Sequence, residues 1–343
     1  MSKITIRDVA KKCNVSVSTV SRAINNQDDI NPETKNKILS AIDELGYIPN
    51  SNARSLKITE SNVIAVLIKG LSNPFYLPMF SIIESKINSN GYTFSFYKIE
   101  ENEDEISVAL KLINEEKLKG IIFLGGFFVQ NEEKLKKIKV PFVISTILNK
   151  DIIMPNCAFI GVDDFEESKK IVNYLISLGH KKIAFVGARK DDKSIGMLRK
   201  NGYIAALKDN KLPVVDNLIF FADKNVNPYN FEHGYDIIEN ILKINKDFTA
   251  IYAISDSIAI GITKKLLEIG YKIPDNFSIV GFDGLRINRF ITPSITTIKQ
   301  PIEEIASSAC DVLFDMIQNG NNKQKIIKFD GELWVGQTTR KID

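Results

Sequence analysis

The 343-residue chain is poor in the residues on which most catalytic and metal sites depend. Its two histidines, His180 and His233, leave little material for a histidine-rich zinc site or a Ser-His-Asp arrangement. Its three cysteines, Cys13, Cys157 and Cys310, are far apart and form no CxxC pair, so we expect small buried side chains and no disulfide framework. The glycine-rich signatures of dinucleotide and phosphate loops do not occur either. We therefore expect neither an enzyme nor a cofactor.

Long hydrophobic runs are also missing. No apolar stretch approaches the roughly 18 residues that a transmembrane helix requires. The first residues, MSKITIRDVAKK, contain no apolar segment of the secretory type. The composition, with 44% hydrophobic and 25% charged residues, is that of an ordinary globular protein. These observations predict a cytoplasmic protein of two or three domains with no membrane partner.

The positive charge of the chain is concentrated at one end. The net charge of +3 is too small to indicate a nucleic-acid partner. Residues 1–27, however, contain five basic side chains and a single acid, Asp8. A local basic excess is typical of a surface that contacts phosphates.

The same segment predicts three short helices. Thr5, followed three residues later by Asp8, forms a capping signal for the first helix. Asn14 tolerates the left-handed turn that follows, and Ser16 can cap a second helix that runs to about Asn25. A third helix is expected from Asn31 to the residue before Gly46.

The second helix has two different faces. At 100° per residue, one arc carries Val17, Ser18, Ser21 and Arg22, and the opposite side is apolar. This pattern fits a helix-turn-helix, whose second helix enters the major groove. Arg22 could donate hydrogen bonds to a guanine, and Val17 could contact a thymine methyl group. The hydroxyls of Ser16, Thr19 and Ser21 could bind phosphate oxygens. The alternative is a solvated polar face on an ordinary helical hairpin.

The remainder of the chain predicts a linker and a large α/β region. Residues 47–60 are polar, and the two helical turns they allow are too short to be stable alone. From residue 61, apolar runs of strand length alternate with amphipathic stretches, which indicates two doubly wound parallel-sheet subdomains. The expected strands are 63–68, 92–97, 120–125, 141–145, 182–187, 250–255 and 277–282, and the expected helices are 76–90, 103–117, 165–178, 196–209, 231–243 and 257–269. Ligands of such sheets bind beyond the carboxyl ends of the strands.

Short motifs along nearly the whole chain resemble the lactose/galactose repressor (LacI/GalR) family. The shared motifs are Ile6, Asp8-Val9-Ala10, Val15-Ser16, Thr19-Val20-Ser21-Arg22, residues 46–50, Ala53-Arg54-Ser55-Leu56, Asn73-Pro74-Phe75, Leu178-Gly179-His180, Arg199, Gly202-Tyr203, Ser255-Asp256, Gly281-Phe282-Asp283 and residues 296–301. The resemblance implies a DNA-binding headpiece at 1–46, a hinge helix at 47–60 and an effector-binding and dimerisation core at 61–343. That core is similar to periplasmic sugar-binding proteins, with one subdomain at about 61–160 plus 290–325 and the other at about 161–289 plus 326–343.

The resemblance also implies which side chains contact DNA. In the family, each of two paired hinge helices inserts a leucine into the minor groove, and Leu56 is the matching residue here, with the small Ala53 allowing close approach. The alternative is a flexible tether with Leu56 packed on the core. The expected DNA-binding residues are Thr5, Ser16, Val17, Ser18, Thr19, Ser21, Arg22, Asn25, Tyr47, Asn50, Ala53 and Leu56.

The implied effector site lies between the two subdomains. Its expected residues are Phe75, Ser145, Arg199, Phe221, Asp256 and Asp283. The arginine and the carboxylates suit a polyol or a small anion, and the phenylalanines offer apolar faces. The bland alternatives are a structural salt bridge and core aromatics. Ser145 and Thr146 depart from the family, which often has aspartate and then a basic residue there, so a standard hexose effector is in doubt.

The resemblance therefore predicts a transcriptional repressor that binds a palindromic operator as a homodimer under the control of a small effector, most simply a sugar. The C-terminal residues contain no leucine heptad, so a dimer is expected rather than a tetramer. Alternatives within the family are control by a phosphorylated carrier protein or by a purine-type corepressor. A solute-binding protein for transport is a more distant alternative. His233 is expected to face either the cleft or solvent.

Overall fold

A computed structural model describes residues 4–24, 30–45, 47, 61–100, 103–126, 132–149, 152–192, 194–223 and 227–342. The chain divides into two compact units, residues 1–60 and residues 61–343.

The first unit contains the three expected helices. They are α1 (Ile6–Cys13), α2 (Val17–Ile24) and α3 (Pro32–Leu45). The Asp8 carboxylate accepts hydrogen bonds from the Thr5 backbone nitrogen (2.8 Å) and hydroxyl (2.6 Å), and Asn14 ends α1 in the left-handed conformation, at φ 55°. The helices enclose a small core of Val9, Ala10, Cys13, Val20, Ala23, Ile38 and Ala41.

The second unit contains two six-stranded sheets. The strands are β1 (Val63–Lys69), β2 (Thr93–Ile99), β3 (Gly120–Leu124), β4 (Phe142–Ser145), β5 (Cys157–Val162), β6 (Ile183–Val186), β7 (Ile219–Phe220), β8 (Ala250–Ala253), β9 (Ser278–Asp283), β10 (Thr296–Lys299), β11 (Lys325–Phe329) and β12 (Glu332–Trp334). The first sheet has the order β11-β5-β4-β3-β1-β2 and is parallel throughout. The second has the order β12-β10-β9-β8-β6-β7, and only β12 is antiparallel to its neighbour. The expected doubly wound α/β architecture is confirmed.

Helices cover the faces of both sheets. They are α4 (Tyr76–Ser89), α5 (Glu105–Glu116), α6 (Glu132–Leu135), α7 (Asp164–Ser177), α8 (Ile195–Asp209), α9 (Phe231–Ile244), α10 (Asp256–Glu268) and α11 (Ile302–Asn319), with short 3-10 turns at Asp216–Leu218 and Arg286–Arg289. Strands such as β3, β4 and β9 are buried over their whole length because helices lie on both sides of them. In the described part of the chain, no helix combines the length and apolar character that a membrane span requires.

The predicted subdomain boundaries are wrong at two strands. Strand β10 lies within 290–325, which was assigned to the first subdomain, but it pairs with β9 in the second sheet. Strand β11, most of which falls in the segment assigned to the second subdomain, pairs with β5 in the first sheet. Backbone hydrogen bonding between strands decides to which sheet a strand belongs, and the apolar pattern of a strand does not predict this pairing. The chain therefore crosses between the subdomains three times, after β5, between β10 and α11, and between β11 and β12.

Candidate functional site

The polar arc of α2 is exposed, and its apolar side is buried. Val17 is 41% exposed, and Ser18 and Arg22 are also exposed. Val20 and Ala23 face the small core of the first unit. This division leaves one face of the helix available for a partner, as expected, although Ser21 is half-buried.

Three hydroxyls cluster at the start of α2. The Ser16 Oγ accepts a hydrogen bond from the Thr19 backbone nitrogen (3.1 Å) and lies 2.6 Å from Ser18 Oγ and 2.8 Å from Thr19 Oγ1. The amino terminus of a helix carries a partial positive charge and attracts phosphate oxygens. The hydroxyls are therefore at the end of α2 where an anionic backbone would bind.

The second unit has a cavity between its two subdomains, and the empty space there amounts to about 460 Å³ when the part open to solvent is included. The first subdomain contributes the loops that follow β1, β3 and β4, and the second contributes the start of α8 and the loop before α9. The lining residues are Lys69, Gly70, Asn73, Tyr76, Gly125, Gly126, Ile147, Ser194, Ile195 and Tyr229. The cavity thus lies where an open α/β sheet binds ligands.

Two hydrogen bonds join the subdomains directly at this cleft. The Ser194 hydroxyl donates to the carbonyl of Gly126 at 2.8 Å. The Asn227 Nδ2 donates to the Ser72 Oγ at 2.6 Å. Each bond links a loop of one sheet to a loop of the other, so opening the cleft requires both to break.

A buried charged cluster lies next to the cavity. The Arg199 Nε donates to Asp164 Oδ1 at 2.8 Å, and Nη1 lies 2.5 Å from the Ile254 carbonyl and 3.4 Å from Asp283 Oδ1. The guanidinium also lies 3.6 Å from the centroid of the Phe282 ring. Burial lowers the pKa of Arg199, but Asp164 and Asp283 raise it above its ordinary value. The arginine is therefore a permanent cation between two carboxylates.

The carboxylates of this cluster are held out of water. Burial raises the pKa of Asp283 to about 7 against the lowering effect of Arg199, and burial also raises the pKa of Asp164. The backbone of Asp283 has φ 116°, which is unusual for any residue other than glycine. The amide of Gln300 donates to Asp283 Oδ1 at 3.0 Å. Strained backbone held by several contacts is common at functional sites.

Tyr76 connects this cluster to the cavity. Its ring lines the cavity, and burial and the charge of Asp283 raise the pKa of its phenol, on which Arg199 and Asp164 also act. The Arg199 cluster therefore influences the cavity electrostatically through Tyr76.

Comparisons with known proteins agree along the whole chain. Residues 5–50 match the model of the bacterial regulatory proteins of the lacI family, and residues 172–339 match a periplasmic binding protein-like domain. The HTH-type transcriptional regulator MalR of Clostridium butyricum is 36% identical over 330 residues, which cover 94% of this chain and 96% of MalR. The chain belongs to the lacI family. It is thus a DNA-binding transcriptional regulator.

Solved structures show the same fold for this lacI-family chain. The lac repressor dimer bound to operator and the anti-inducer ONPF has a TM-score of 0.69 and 22% identity, covering 99% of this chain and 100% of the repressor chain. The complex of the transcriptional regulator CelR with cellobiose has a TM-score of 0.70 and 22% identity, covering 98% of this chain and 100% of CelR.

The residues expected to bind DNA are only partly described. Thr5 is exposed but its hydroxyl is already donated to Asp8, and Tyr47 is half-buried against the small core of the first unit. Asn25, Asn50, Ala53 and Leu56 lie outside the described residues. Their contacts with DNA remain predictions, as does the hinge helix at 47–60.

The effector contacts expected for six residues of this lacI-family protein remain predictions. In the described structure, none of the six lines the cavity. Phe75 is buried edge-on against Tyr76 with ring centroids 5.4 Å apart, and Phe221 packs against Phe185 in the second subdomain. Ser145 is fully buried at the end of β4, and its hydroxyl has no partner. Arg199 and Asp283 act electrostatically on Tyr76, which lines the cavity.

Asp256 serves the second subdomain. Its Oδ2 accepts hydrogen bonds from the Leu285 backbone nitrogen (2.7 Å) and from Asn288 Nδ2 (2.8 Å). It thereby fastens the 3-10 turn that follows β9. Burial, and then the charge of Asp283, raise the pKa of Asp256 to about 8.

The second wall of the cavity includes aromatic and acidic residues that were not predicted. Tyr229 faces the cavity, and its hydroxyl donates to Asp192 Oδ2 at 3.0 Å. The Asp192 Oδ1 accepts from the backbone nitrogen of Ser194 at 2.7 Å. Asp164 was also missed, although the two acids Asp163 and Asp164, which follow the apolar run CAFIGV, were a signal of a strand end. Tyr229 carried no comparable signal, because the run that precedes it is polar.

The histidines and cysteines are structural. His233 is buried, and its Nε2 lies 3.0 Å from the Gly187 carbonyl, so it faces neither the cavity lining nor solvent. Burial lowers its pKa. His180 is buried between Thr249 Oγ1 (2.8 Å) and Ser278 Oγ (2.9 Å). The three cysteines are free and buried, as predicted.

Proposed function

We propose that this lacI-family regulator represses transcription by binding a palindromic operator as a homodimer, and that a small polyhydroxy effector in the cleft controls the binding. The exposed arc of α2 is the observation that carries the proposal. In a symmetric pair, two such helices read two half-sites related by a two-fold axis.

The DNA contacts follow from the side chains of that arc. Arg22 donates to the O6 and N7 of a guanine, and Val17 contacts a thymine methyl. The hydroxyls at the start of α2 bind phosphate oxygens and fix the register of the helix. The hinge segment contributes a second element, in which Leu56 wedges a base step open in the minor groove.

The dimer is supported by apolar side chains on the surface of the second unit. Phe290 is 72% exposed and Leu77 is 58% exposed. Exposed apolar surface of this kind is compatible with coverage by a second copy of the chain. The solved lac repressor is a dimer on its operator, and we assign the same assembly to this chain.

The effector is supported by the cavity. Its walls combine the aromatic rings of Tyr76 and Tyr229 with the polar side chains of Asn73 and Ser194. Small-molecule sites characteristically combine apolar walls with a few convergent polar groups. The related CelR was solved with cellobiose, and we extend a sugar-type effector to this chain. Effector binding alters the closure of the subdomains and thereby the spacing of the two hinge segments.

Selection from a pool of random DNA duplexes tests the operator. The full-length protein is incubated with the pool at fixed salt, with and without a panel of sugars, and the bound duplexes are sequenced. We expect a palindrome of two half-sites whose enrichment changes with one of the sugars. Enrichment of single half-sites contradicts the dimer, and no enrichment under any condition contradicts the sequence-specific repressor.

A further inference from the structure

Carboxylates outnumber cations around the cleft cavity. Asp164 and Asp283 share one cation, Arg199, and Lys69, the cation that lines the cavity, is neutralised by Glu105 at 3.1 Å, whereas Asp192 forms hydrogen bonds with Tyr229 and Ser194. Lys69 also donates to the carbonyl of Glu103 at 2.7 Å. The immediate surroundings of the cavity are therefore acidic.

Two of these carboxylates each have one oxygen that accepts no hydrogen bond. Asp164 Oδ2 and Asp283 Oδ2 are buried and have no hydrogen-bond partner. Both act electrostatically on the phenol of Tyr76, which lines the cavity. A carboxylate oxygen accepts from a hydroxyl but has nothing to offer an anion. These two oxygens therefore suit a ligand that donates hydrogen bonds.

The helix amino terminus that faces the cavity is already occupied by a carboxylate of the protein. The start of α8 faces the cavity through Ser194 and Ile195, and a helix amino terminus is a ready site for phosphate. Asp192 lies over this terminus and accepts from the Ser194 backbone nitrogen at 2.7 Å. A Cβ added at Gly196 would meet the Asp192 Oδ2 at 2.2 Å, so the carboxylate lies directly on the first turn. A phosphate at this end of the cavity would face a carboxylate in place of free amide donors.

The remaining walls suit the carbon skeleton of a sugar. Tyr76 and Tyr229 present aromatic rings, and Ile147 and Ile195 present aliphatic surface. Aromatic rings pack against apolar faces, such as the C–H face of a pyranose.

Building on the proposed function, in which a small effector binds this cleft, we infer that the effector is an uncharged polyhydroxy compound and that Asp192 makes the cleft reject the phosphate ester of the same compound. Like charges that are shielded poorly from one another repel strongly. Asp164 and Asp283 bind the hydroxyls of the uncharged form.

Titration calorimetry on the full-length protein tests the inference with matched pairs. The probes are glucose with glucose 6-phosphate, ribose with ribose 5-phosphate, and maltose and cellobiose with their 6'-phosphates. We expect the tightest ligand to be uncharged and its phosphate ester to bind at least about 30-fold more weakly, as for a buried like-charge contact. In Asp192→Asn this ratio should fall by about 10-fold, because asparagine still caps a helix but carries no charge.

Asp330→Asn is the matched control. It removes the same charge from a side chain that is 81% exposed, and it should leave the ratio unchanged. An ester that binds as tightly as its parent sugar, or an unchanged ratio in Asp192→Asn, overturns the inference while leaving the proposed function standing. If neither member of any pair binds, the sugar effector of the proposed function fails, and this inference fails with it.

Discussion

The two candidate sites of this protein use charge in opposite ways. In the headpiece, Arg22 and the hydroxyls of α2 are in water, so their interaction with a partner will be screened by salt. In the cleft, Arg199 and its carboxylates are buried, so salt will affect them little and pH more. The headpiece surface therefore attracts its partner over a long range. The cleft selects its ligand by short-range contacts, through buried acceptors that still need hydrogen-bond donors.

Replacing each arginine in turn is the strongest test of the contrast between the buried and the exposed site. Arg199→Met should lower the free energy of unfolding of the second unit by about 3–5 kcal/mol, because Asp164 and Asp283 then remain buried without a counter-charge. Arg22→Met on the exposed arc should change the stability of the first unit by less than about 0.5 kcal/mol. Urea denaturation of both variants measures the difference. Equal effects would contradict the division into a buried and an exposed site.

Buried carboxyl groups of the second unit should cause most of the pH dependence of stability. Because burial raises the pKa of Asp256 to about 8 and that of Asp283 to about 7, the folded protein holds protons that the unfolded chain releases above about pH 4. The stability from these groups is fully present below that pH and is lost as the pH rises through 7 and 8. We expect these two groups to lower the free energy of unfolding by about 2–3 kcal/mol per pH unit between pH 5 and 7, and by less above pH 7.

Asp256→Asn should flatten this slope in thermal unfolding followed at several pH values. Asparagine keeps an acceptor for the Leu285 backbone nitrogen but does not titrate. Asp330→Asn on the surface should leave the slope as it is in the parent protein. A slope that is equally steep in Asp256→Asn would show that other groups carry the proton linkage.

The preference of the headpiece for particular bases tests the role of Arg22. Arg22→Ala should reduce discrimination at one base pair of each half-site by about 1–3 kcal/mol and leave effector binding unchanged. Fluorescence anisotropy with the selected operator and with single-base variants measures both the preference and its dependence on salt. Lys35→Ala on α3, away from the polar arc of α2, should leave the preference intact. A uniform loss of affinity for all sequences would mean that Arg22 contacts phosphate and not a base.

The smallest expected effect concerns the closure of the cleft. Ser194→Ala removes the hydrogen bond to the Gly126 carbonyl, a loss of about 0.5–1.5 kcal/mol, and should speed effector dissociation by up to about 10-fold. Stopped-flow fluorescence with the effector found by calorimetry measures the rate. Ser177→Ala, which removes a surface hydroxyl bonded to its own helix, should leave the rate unchanged. An unchanged rate in Ser194→Ala would mean that this bond does not hold the cleft.

The headpiece was predictable because its signals are local. The capping pair Thr5 and Asp8, the left-handed Asn14 and the Ser16 cap each act within three or four residues of the chain. The two faces of α2 follow from helical periodicity alone. In the core, alternating runs were enough to predict all seven proposed strands, since buried parallel strands are uniformly apolar.

The cleft was less predictable because its contacts are remote in sequence. Strands β10 and β11 carry no mark of the sheet they join, and the crossing positions were misplaced for that reason. The aromatic wall was assigned to Phe221, whereas the chain turns so that Tyr229 faces the cavity. Asp256, which was predicted to contact the ligand, also accepts a hydrogen bond from the Leu285 backbone nitrogen, 29 residues away in sequence. Residue type predicted the chemistry of the cleft better than it predicted positions.

The triple passage of the chain between the subdomains has a practical consequence. No single cut liberates either subdomain intact, since the first needs α11 and β11 from near the carboxyl terminus and the second needs β12, which follows β11. Anyone wishing to engineer a sensor from this scaffold should therefore insert reporters into surface loops of the complete core. Exchanging halves between homologues would demand three simultaneous joints, at 163, at 300–301 and at 330–331.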